Sequence, residues 1–312
     1  MARIWNNGPS GEQIHLRQDG HHAVIVEVSG GVRSYEVNGR PLLDGYGPTE
    51  MCSGARGQLL VPWPNRLRDG RYAFDGTTYQ LPLSEPEKMN AIHGFLRWES
   101  WRVAERDADR VVMGHTLHPH AGYPFALEMA VEYRVSAEGL VSTVTATCVG
   151  DRPCPYGMGV HPYLRIGTAP VNVCWLEAAG GTYLIADDRG IPITTAGVEA
   201  TRLDFRCRRQ ILDTELDTGF TNLQRDPVGR AWVRLWDAGQ SSGVGLWMDH
   251  QYSYYMLFTG DSLPETKRRR RSVGVEPMTC APNAFASGIG LITLAPGQSM
   301  VSQWGITPLG PP

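Results

Sequence analysis

One carboxylate stands alone among apolar and small residues in segment 274–283, just before a proline-containing turn. Desolvation disfavours the charged form of a carboxyl group, so the pKa of Glu276 is expected to rise toward neutral pH. A carboxyl group in that range can serve as a general base. The alternative is an ordinary glutamate at a strand end, solvated or hydrogen-bonded to nearby backbone. The residues that accompany Glu276 decide between the two interpretations.

Two histidines lie in constrained sequence contexts. His93 is followed by Gly94, which allows another group to approach the backbone closely. His161 is preceded by two glycines and followed by Pro162, so its imidazole is expected to be held in one orientation. A fixed orientation suits a proton donor. A lone histidine of this kind is more often structural, and the catalytic interpretation therefore depends on Glu276.

Further residues could bind hydroxyl groups or stack on a sugar ring. Asn65 and Arg66 follow two prolines, and both side chains can donate hydrogen bonds. The acidic segment 213–222 supplies Asp217 as an acceptor and Phe220 as an apolar platform, and Trp98 is another candidate for stacking. The alternatives are a proline-stiffened surface loop for the first pair and an acidic turn between strands for segment 213–222.

Motifs for metal binding and nucleophilic catalysis are weak. His118 and His120 have an H-x-H spacing without acids or paired cysteines nearby, which favours a solvated turn over a zinc site. Segment 239–243 matches G-x-S-x-G, but a strand rather than a helix is expected after it, which favours a hairpin turn. The glycine motifs of nucleotide sites are absent from the sequence. We therefore predict no metal site.

The composition is that of a globular protein. The chain has 312 residues, 42% of them apolar and 20% charged, and its net charge of −3 argues against general affinity for nucleic acid. No apolar run is long enough for a spanning helix, so no membrane partner is expected. The first seven residues lack a signal-peptide core and the six cysteines are scattered, which predicts a cytoplasmic protein with reduced thiols. Five consecutive basic residues at 267–271 are interpreted as a solvated loop.

Alternation of apolar and polar residues recurs along the chain, as in strands with one buried face. Segments 125–135 and 140–149 predict a hairpin around the turn at 136–139, and Asp75-Gly76 predicts another. A short helix is predicted near 47–58. The further strand candidates are 23–28, 111–117, 171–176, 231–236, 244–248, 254–259, 290–294 and 300–306. Without a linker or a repeat, the sequence predicts an all-β fold over residues 1–312, a single large antiparallel β-sandwich with few short helices.

Five motifs in order along most of the chain carry a family resemblance. The chain resembles the aldose 1-epimerase family, with its galactose mutarotase-like β-sandwich, and in particular a bacterial aldose-epimerase-like branch. The motifs are Asn65-Arg66 followed by a Gly-Arg hairpin, His93-Gly94, His161-Pro162-Tyr163, Leu216-Asp217 with Phe220, and Val275-Glu276-Pro277-Met278-Thr279.

The resemblance implies specific roles in interconverting the α and β anomers of a sugar. It implies that Glu276 is the general base, that His161 is the general acid and that His93 polarises the ring oxygen. The ring would open to the aldehyde, the C1–C2 bond would rotate and the ring would close again, without a metal or redox cofactor. The expected partner is a free aldohexose such as glucose or galactose, bound by a monomer or homodimer. The implied substrate-binding residues are Asn65, Arg66, Asp217, Tyr163, Phe220 and Trp98.

Three alternatives remain open from the sequence. A hexose-6-phosphate 1-epimerase of the same fold would use arginines to bind phosphate, and the candidates are Arg66, Arg68, Arg71, Arg97 and the run 268–271. A carbohydrate-binding or sensor protein would bind sugar without turnover. A glycoside hydrolase or lyase usually needs two facing carboxylates and would leave both histidines unexplained. The enzyme hypothesis also predicts that Glu276 and His161 face each other across a cleft about one sugar ring wide.

Overall fold

The computed structural model describes residues 8–310, which form β-strands joined by turns. The strands are β1 (Gln13–Gln18), β2 (His21–Val26), β3 (Val32–Val37), β4 (Arg40–Pro41), β5 (Leu59–Leu60), β6 (Arg66–Arg68), β7 (Arg71–Phe74), β8 (Thr77–Gln80), β9 (Asn90–Ile92), β10 (Arg102–Arg106), β11 (Arg110–Leu117), β12 (Leu127–Ser136), β13 (Gly139–Cys148) and β14 (Cys154–Tyr156). They continue with β15 (Gly159–Val160), β16 (Tyr163–Leu164), β17 (Trp175–Ala178), β18 (Gly180–Ala186), β19 (Pro192–Gly197), β20 (Arg209–Gln210), β21 (Asp217–Leu223), β22 (Ala231–Trp236), β23 (Gly243–Met248), β24 (Tyr254–Phe258), β25 (Val273–Met278), β26 (Ile292–Leu294) and β27 (Ser299–Leu309).

Helices are few and short in residues 8–310. One α-helix, α1, spans Ala284–Ser287, and the 3₁₀-helices span Pro86–Lys88, Leu96–Trp98, Val171–Val173 and Thr266–Arg268. None of the helices in this range is long and apolar enough to cross a membrane. The first seven residues, on which the cytoplasmic prediction rests, lie outside the described residues.

Two large antiparallel sheets form the sandwich. One has nine strands in the order β10-β11-β12-β13-β27-β23-β22-β17-β20. The other has eight, in the order β19-β18-β21-β24-β25-β15-β5 with β16 also paired to β25. Apolar side chains of both sheets, such as Leu246 and Ile306 of the first and Leu257 and Val275 of the second, belong to one buried cluster. The predicted all-β sandwich is confirmed.

Local sequence signals located the hairpins correctly. β12 and β13 pair over their full lengths, with Ser136 opposite Gly139. The alternate side chains of β12 are all fully buried, and these are Leu127, Met129, Val131, Tyr133 and Val135. Asp75 and Gly76 adopt positive φ angles of 49° and 72° between β7 and β8, as a tight turn requires. Segment 239–243 lies between paired strands β22 and β23, which confirms a hairpin turn rather than a nucleophile elbow.

Two local predictions were wrong. Segment 47–58 contains turns and no helix, because Gly54, Ala55 and Gly57 have left-handed backbones with φ between 57° and 70°. The proposed strand 171–176 divides into the 3₁₀-helix Val171–Val173 and the start of β17.

The basic run is largely an ion-pair cluster rather than a solvated loop. The carboxylate of Asp44, with a side chain only 1% exposed, lies 3.5 Å from Arg268 and 3.1 Å from Arg271. Arg56 and Arg165 approach the same carboxylate to 3.5 and 3.8 Å. Lys267 and Arg269 are exposed, as predicted. The sequence interpretation was therefore wrong for the arginines that contact Asp44, because their partner lies far away in the chain.

Substitution Asp44→Asn is expected to reduce the free energy of unfolding by about 3–5 kcal/mol, because it leaves buried guanidinium groups without their counter-ion. Urea unfolding monitored by tryptophan fluorescence measures this loss. The matched control is Glu50→Gln, which removes the 52% exposed partner of Arg268 and should change stability by less than about 1 kcal/mol. Equal effects of the two substitutions would show that Asp44 is not the centre of the cluster.

Candidate active site

A cavity of about 250 Å³ opens on one face of the eight-stranded sheet. Every predicted site residue except Phe220 lines it. These residues are Asn65, Arg66, His93, Trp98, His161, Tyr163, Asp217 and Glu276.

Strand register brings His161 and Glu276 together. Gly159 of β15 pairs with Met278 of β25, and Tyr163 of β16 pairs with Gly274 of the same strand. In that antiparallel register His161 lies opposite Glu276, and opposed side chains lie on the same face of a sheet.

The two side chains are in direct contact. His161 Nε2 lies 3.2 Å from Glu276 Oε1, and both side chains are almost fully buried. The predicted separation of about one sugar ring is therefore wrong. The physical reason is the strand register, because directly opposed residues on one face of an antiparallel pair have Cβ atoms only about 4.5–5.5 Å apart.

Burial shifts both groups toward their neutral forms. Burial raises the pKa of Glu276 to about 8, and repulsion from Asp217 adds to the rise, while Arg66 and Asn65 oppose it. Burial also lowers the pKa of His161 to about 3, and the charges of Arg56 and Arg97 act in the same direction. Near neutral pH the contact is therefore a hydrogen bond in which one titratable proton, held by the Glu276 carboxyl, lies between the two groups.

His93 is held by reciprocal bonds to Asn65. The backbone N–H of His93 donates to the backbone carbonyl of Asn65 at 3.0 Å, and the backbone N–H of Asn65 donates to Nδ1 of the His93 ring at 3.1 Å. Burial lowers the pKa of His93 well below its usual range. A neutral imidazole that accepts at Nδ1 carries its proton on Nε2. Since the His93 and His161 rings meet edge to face at 5.5 Å, His93 can offer an N–H donor beside the acid/base pair.

The same three side chains were tested as a metal site. The potential ligand atoms of His93, His161 and Glu276 lie within 4.8 Å of one another. A neutral histidine binds a metal through an unprotonated nitrogen, and in His93 that nitrogen already accepts the Asn65 N–H. The cluster is therefore better suited to hydrogen bonding than to metal ligation. His118 and His120 are exposed in the turn after β11, as predicted.

Gly94 is required by the close approach of two backbone segments. It has a φ of 66°, and a Cβ atom there would lie 2.0 Å from the Val61 carbonyl oxygen. Any other residue would displace the chain next to His93. The close approach predicted from this glycine is therefore confirmed, and the approaching group is the backbone at Val61.

Polar groups on the Glu276 side of the cavity are held by neighbouring strands. Asp217 begins β21, and Gly219 of that strand pairs with Met256 of β24, which pairs with Glu276. Asp217 therefore shares a face with Glu276. Arg66 forms a two-point contact with Glu85, with Nε–Oε2 and Nη2–Oε1 distances of 2.8 and 2.9 Å, which fixes the guanidinium at the cavity wall.

Tyr163 connects the ion-pair cluster to the acid/base pair. The Tyr163 ring stacks on His161, with 4.9 Å between centroids and 10° between planes. The guanidinium carbon of Arg56 lies 4.4 Å from the centroid of the same Tyr163 ring. The Tyr163 hydroxyl donates to the Gly54 carbonyl. Because its hydroxyl donates within the protein and its ring stacks on His161, the geometry of Tyr163 favours positioning of His161 over the predicted sugar binding.

The stacking role predicted for Phe220 is not supported by its position. Its side chain is 1% exposed and stacks on Tyr255 in the core, with 5.2 Å between centroids. Phe220 is three residues from Asp217 in one strand, and strand periodicity places residues at odd spacing on opposite faces. That signal was present in the sequence. Trp98, which is 44% exposed, lies at the cavity instead.

Several residues that line the cavity were not among the predicted sugar-binding residues. The sequence indicates Arg97 only as a candidate phosphate ligand, although it directly precedes Trp98, a predicted site residue. The loop residues carry no catalytic signal of their own, because the sheet brings them together from distant segments. The remaining lining residues are Cys52, Gly54, Ala55, Ile92, Phe258, Ser262 and Leu263.

Comparison with known proteins identifies the family. The family model described as Aldose 1-epimerase matches residues 12–307. The chain is 32% identical over 298 residues to the uncharacterized protein YihR of Escherichia coli (strain K12), covering 95% of this chain and 93% of that protein. It is also 28% identical over 162 residues to the aldose 1-epimerase of the same organism, covering 50% and 46% of the two chains. The chain therefore belongs to the aldose 1-epimerase family.

Solved structures share the fold. A GalM/aldose epimerase homologue from C. elegans superposes with a TM-score of 0.85 at 18% identity, covering 96% of this chain and 99% of that chain. The galactose 1-epimerase of Lactobacillus acidophilus NCFM gives a TM-score of 0.80 at 18% identity, covering 96% and 95%. At these identities the likeness concerns the fold, and the activity must be argued from the site.

Proposed function

We propose that the protein is an aldose 1-epimerase that interconverts the α and β anomers of a monosaccharide. The observation that carries the proposal is the buried contact of 3.2 Å between His161 Nε2 and Glu276 Oε1 at the cavity. Opening a sugar ring removes a proton from the C1 hydroxyl and adds one to the ring oxygen. The C1 hydroxyl oxygen and the ring oxygen are bonded to the same carbon, so two proton-transfer groups that are in contact can reach both oxygens.

One titratable proton shared by the pair is sufficient for the full cycle. With this proton on His161, Glu276 takes the C1 hydroxyl proton as His161 protonates the ring oxygen, and the ring opens. The open-chain sugar then faces a protonated Glu276 and a neutral His161. After rotation about the C1–C2 bond, Glu276 returns its proton to the aldehyde oxygen and His161 takes the proton of the C5 hydroxyl. Proton number and charge balance without any other reactant.

Side chains next to the His161–Glu276 pair can bind the sugar and assist the two proton transfers. The Nε2–H of His93 can donate to the ring oxygen region and polarise the C1–O bond. Asp217 can accept hydrogen bonds from sugar hydroxyls, whereas Asn65 and Arg66 can donate them. The exposed face of Trp98 can stack on the apolar face of a sugar ring.

Activity is expected to be lost on the basic side of pH 8. Above the raised pKa of about 8 for Glu276, the pair loses the proton that must reach the ring oxygen. Below the lowered pKa of about 3 for His161, the pair carries a second proton and no base remains. The enzyme-dependent part of kcat/KM should therefore form a plateau that falls as pH rises through about 8. A rate that increases steadily from pH 6 to pH 10 would contradict the shared-proton mechanism.

Polarimetry of freshly dissolved α-anomers tests the proposed function. Catalytic amounts of protein should accelerate the approach of at least one aldose to its equilibrium rotation without changing the end point. A hydrolase would leave monosaccharides unaffected, and a sugar sensor would bind without acceleration. Failure of neutral and anionic aldoses alike to respond would contradict the proposal.

A further inference from the structure

A second cavity, of about 400 Å³, lies over the ion-pair cluster around Asp44. Within residues 8–310 it shares no lining residue with the active-site cavity. Its volume falls in the usual range of small-molecule sites, about 300–1,000 Å³. We call it the cationic cavity, because its wall contains four basic side chains, which are Arg165, Lys267, Arg268 and Arg271.

The Asp44 carboxylate is shared by more guanidinium groups than one negative charge can neutralise. The nitrogen–oxygen distances from Asp44 to Arg56, Arg165, Arg268 and Arg271 are 3.5, 3.8, 3.5 and 3.1 Å. Glu50 contributes a second carboxylate, 3.2 Å from Arg268. Glu36, also in the wall, lies 3.2 Å from His22. The cluster therefore keeps an excess of positive charge beside the cavity, to which Lys267 adds.

Two of these arginines keep hydrogen-bond donors without an acceptor. In the described part of the chain the Arg165 guanidinium donates only to the Gly167 carbonyl, at 2.9 Å. Nε of Arg271 is buried and has no hydrogen-bond partner there, although Asp44 Oδ1 is 3.1 Å away. Burial lowers the pKa of Arg165, and repulsion from Arg271 and Arg268 adds to the effect while Asp44 opposes it. Partly desolvated cations of this kind are unfavourable unless a bound group supplies the missing negative charge.

We propose that the cationic cavity binds a phosphate group, as inorganic phosphate or as a small phosphate monoester, at a site separate from the one where the sugar reacts. The binding residues are Arg165, Arg271 and Lys267. Phosphate offers several charged oxygens to planar guanidinium groups, and its second negative charge offsets more of the excess than a single carboxylate can.

The remaining wall of the cationic cavity suits the organic part of a monoester. Pro41, Leu43 and Tyr46 also line it and supply apolar surface beside the cations. Arg268 belongs to the frame of the site, because it already donates to the Gly45 carbonyl at 3.0 Å and to Glu50 at 3.2 Å.

The proposed site lies behind the acid/base pair and outside its chemistry. Arg56, which contacts Asp44, lies against the Tyr163 ring, and that ring stacks on His161. A phosphate group on the cavity side of the cluster therefore stabilises the ion pairs that support His161 without touching the reacting sugar.

Calorimetric titration of the wild-type protein tests the site. Inorganic phosphate and glycerol 3-phosphate are the two probes, each measured at the same ionic strength set with sodium chloride. We expect saturable one-to-one binding of at least one probe, and the tighter probe shows whether the free ion or the monoester is preferred. Absence of saturable binding of both probes would overturn the inference. The measurement needs no turnover, so its outcome is independent of the proposed epimerase function.

Charge changes in the cavity wall should alter phosphate affinity in opposite directions. Arg271→Gln should weaken binding by about 10- to 100-fold, the range for a hydrogen bond to a charged group. Lys267→Gln should also weaken it, and because Lys267 is exposed this variant remains informative if Arg271→Gln is unstable. Glu50→Gln removes a competing negative charge at a half-exposed position and should tighten binding by about 1.5- to 5-fold. The exposed control Arg202→Gln should leave the affinity unchanged.

Two results with these variants would place the anion elsewhere and overturn the inference. One is an affinity unchanged in both Arg271→Gln and Lys267→Gln, and the other is weaker binding in Glu50→Gln.

Thermal unfolding supplies a second readout of the same site. The preferred probe should raise the melting temperature of the wild type, because it binds the folded protein and not the unfolded chain. The rise should be larger in Asp44→Asn, where the anion replaces the missing counter-ion, and slightly larger in Glu50→Gln. Sodium chloride at equal ionic strength should not reproduce these increases. A rise in both variants no larger than that of the wild type would contradict binding beside the Asp44 cluster.

Discussion

Replacement of Glu276 by glutamine is expected to lower kcat for anomer exchange by about 10²–10⁴-fold, the usual contribution of a positioned acid or base. The amide has nearly the same shape as the carboxyl group and cannot accept the proton of the C1 hydroxyl. Because Glu276 is buried and protonated near neutral pH, a neutral amide fits its surroundings and the fold should be retained. Polarimetry at saturating sugar, with circular dichroism of the same samples, measures both outcomes.

The matched control for this variant is Glu128→Gln on the exposed face of β12, which should retain the wild-type rate.

The pH dependence of stability is an independent check on the raised pKa of Glu276. The folded-state pKa of Glu276 is raised from 4.5 to about 8, so the folded protein binds more protons than the unfolded chain in this window. Wild-type stability should therefore fall as pH rises through the window, and Glu276→Gln should lack that contribution. A fully active Glu276→Gln variant would contradict its role as base.

Removal of the His161 imidazole is the second substitution with a large expected effect. His161→Ala should lower kcat by about 10²–10⁴-fold, because it removes the group that shares a titratable proton with Glu276 and passes it to the ring oxygen. Added imidazole should restore part of the rate by occupying the space of the missing ring. The exposed control His118→Ala should be unaffected with or without imidazole.

Rescue of His161→Ala by imidazole distinguishes a catalytic role of His161 from a structural one. If His161 only supported the cavity through its stacking on Tyr163, the variant would lose stability and sugar affinity, and imidazole would leave kcat unchanged. The double variant of His161 and Glu276 should also have a kcat only slightly lower than either single variant, since the two groups act together on one proton.

Local pattern predicted much of the fold. Alternation along β12 and the Asp75-Gly76 turn depend only on neighbouring residues, and both were correct. The helix expected at 47–58 does not form because Gly54 and Ala55 have left-handed backbones, and the Gly54 carbonyl instead accepts a hydrogen bond from the distant Tyr163. The run at 267–271 was misread for a related reason, since Asp44 is brought to it only by folding.

The candidate site was predictable in its chemistry and not in its geometry. Residue type and context identified Glu276, His161 and His93, and the structure places them together. Their contact distance depends on the pairing of β15 and β16 with β25, strands far apart in the chain.

The most direct test is exchange between the anomeric protons of an equilibrated sugar, followed by NMR magnetisation transfer. Neutral and anionic aldoses should be measured with catalytic wild-type protein and with Glu276→Gln. We expect accelerated α–β exchange of at least one sugar with the wild type, no other product, and exchange close to the buffer rate with the variant. Exchange at the buffer rate for every sugar with the wild type, or equal acceleration by Glu276→Gln, would contradict the assignment of Glu276 and His161 as an anomer-exchanging pair.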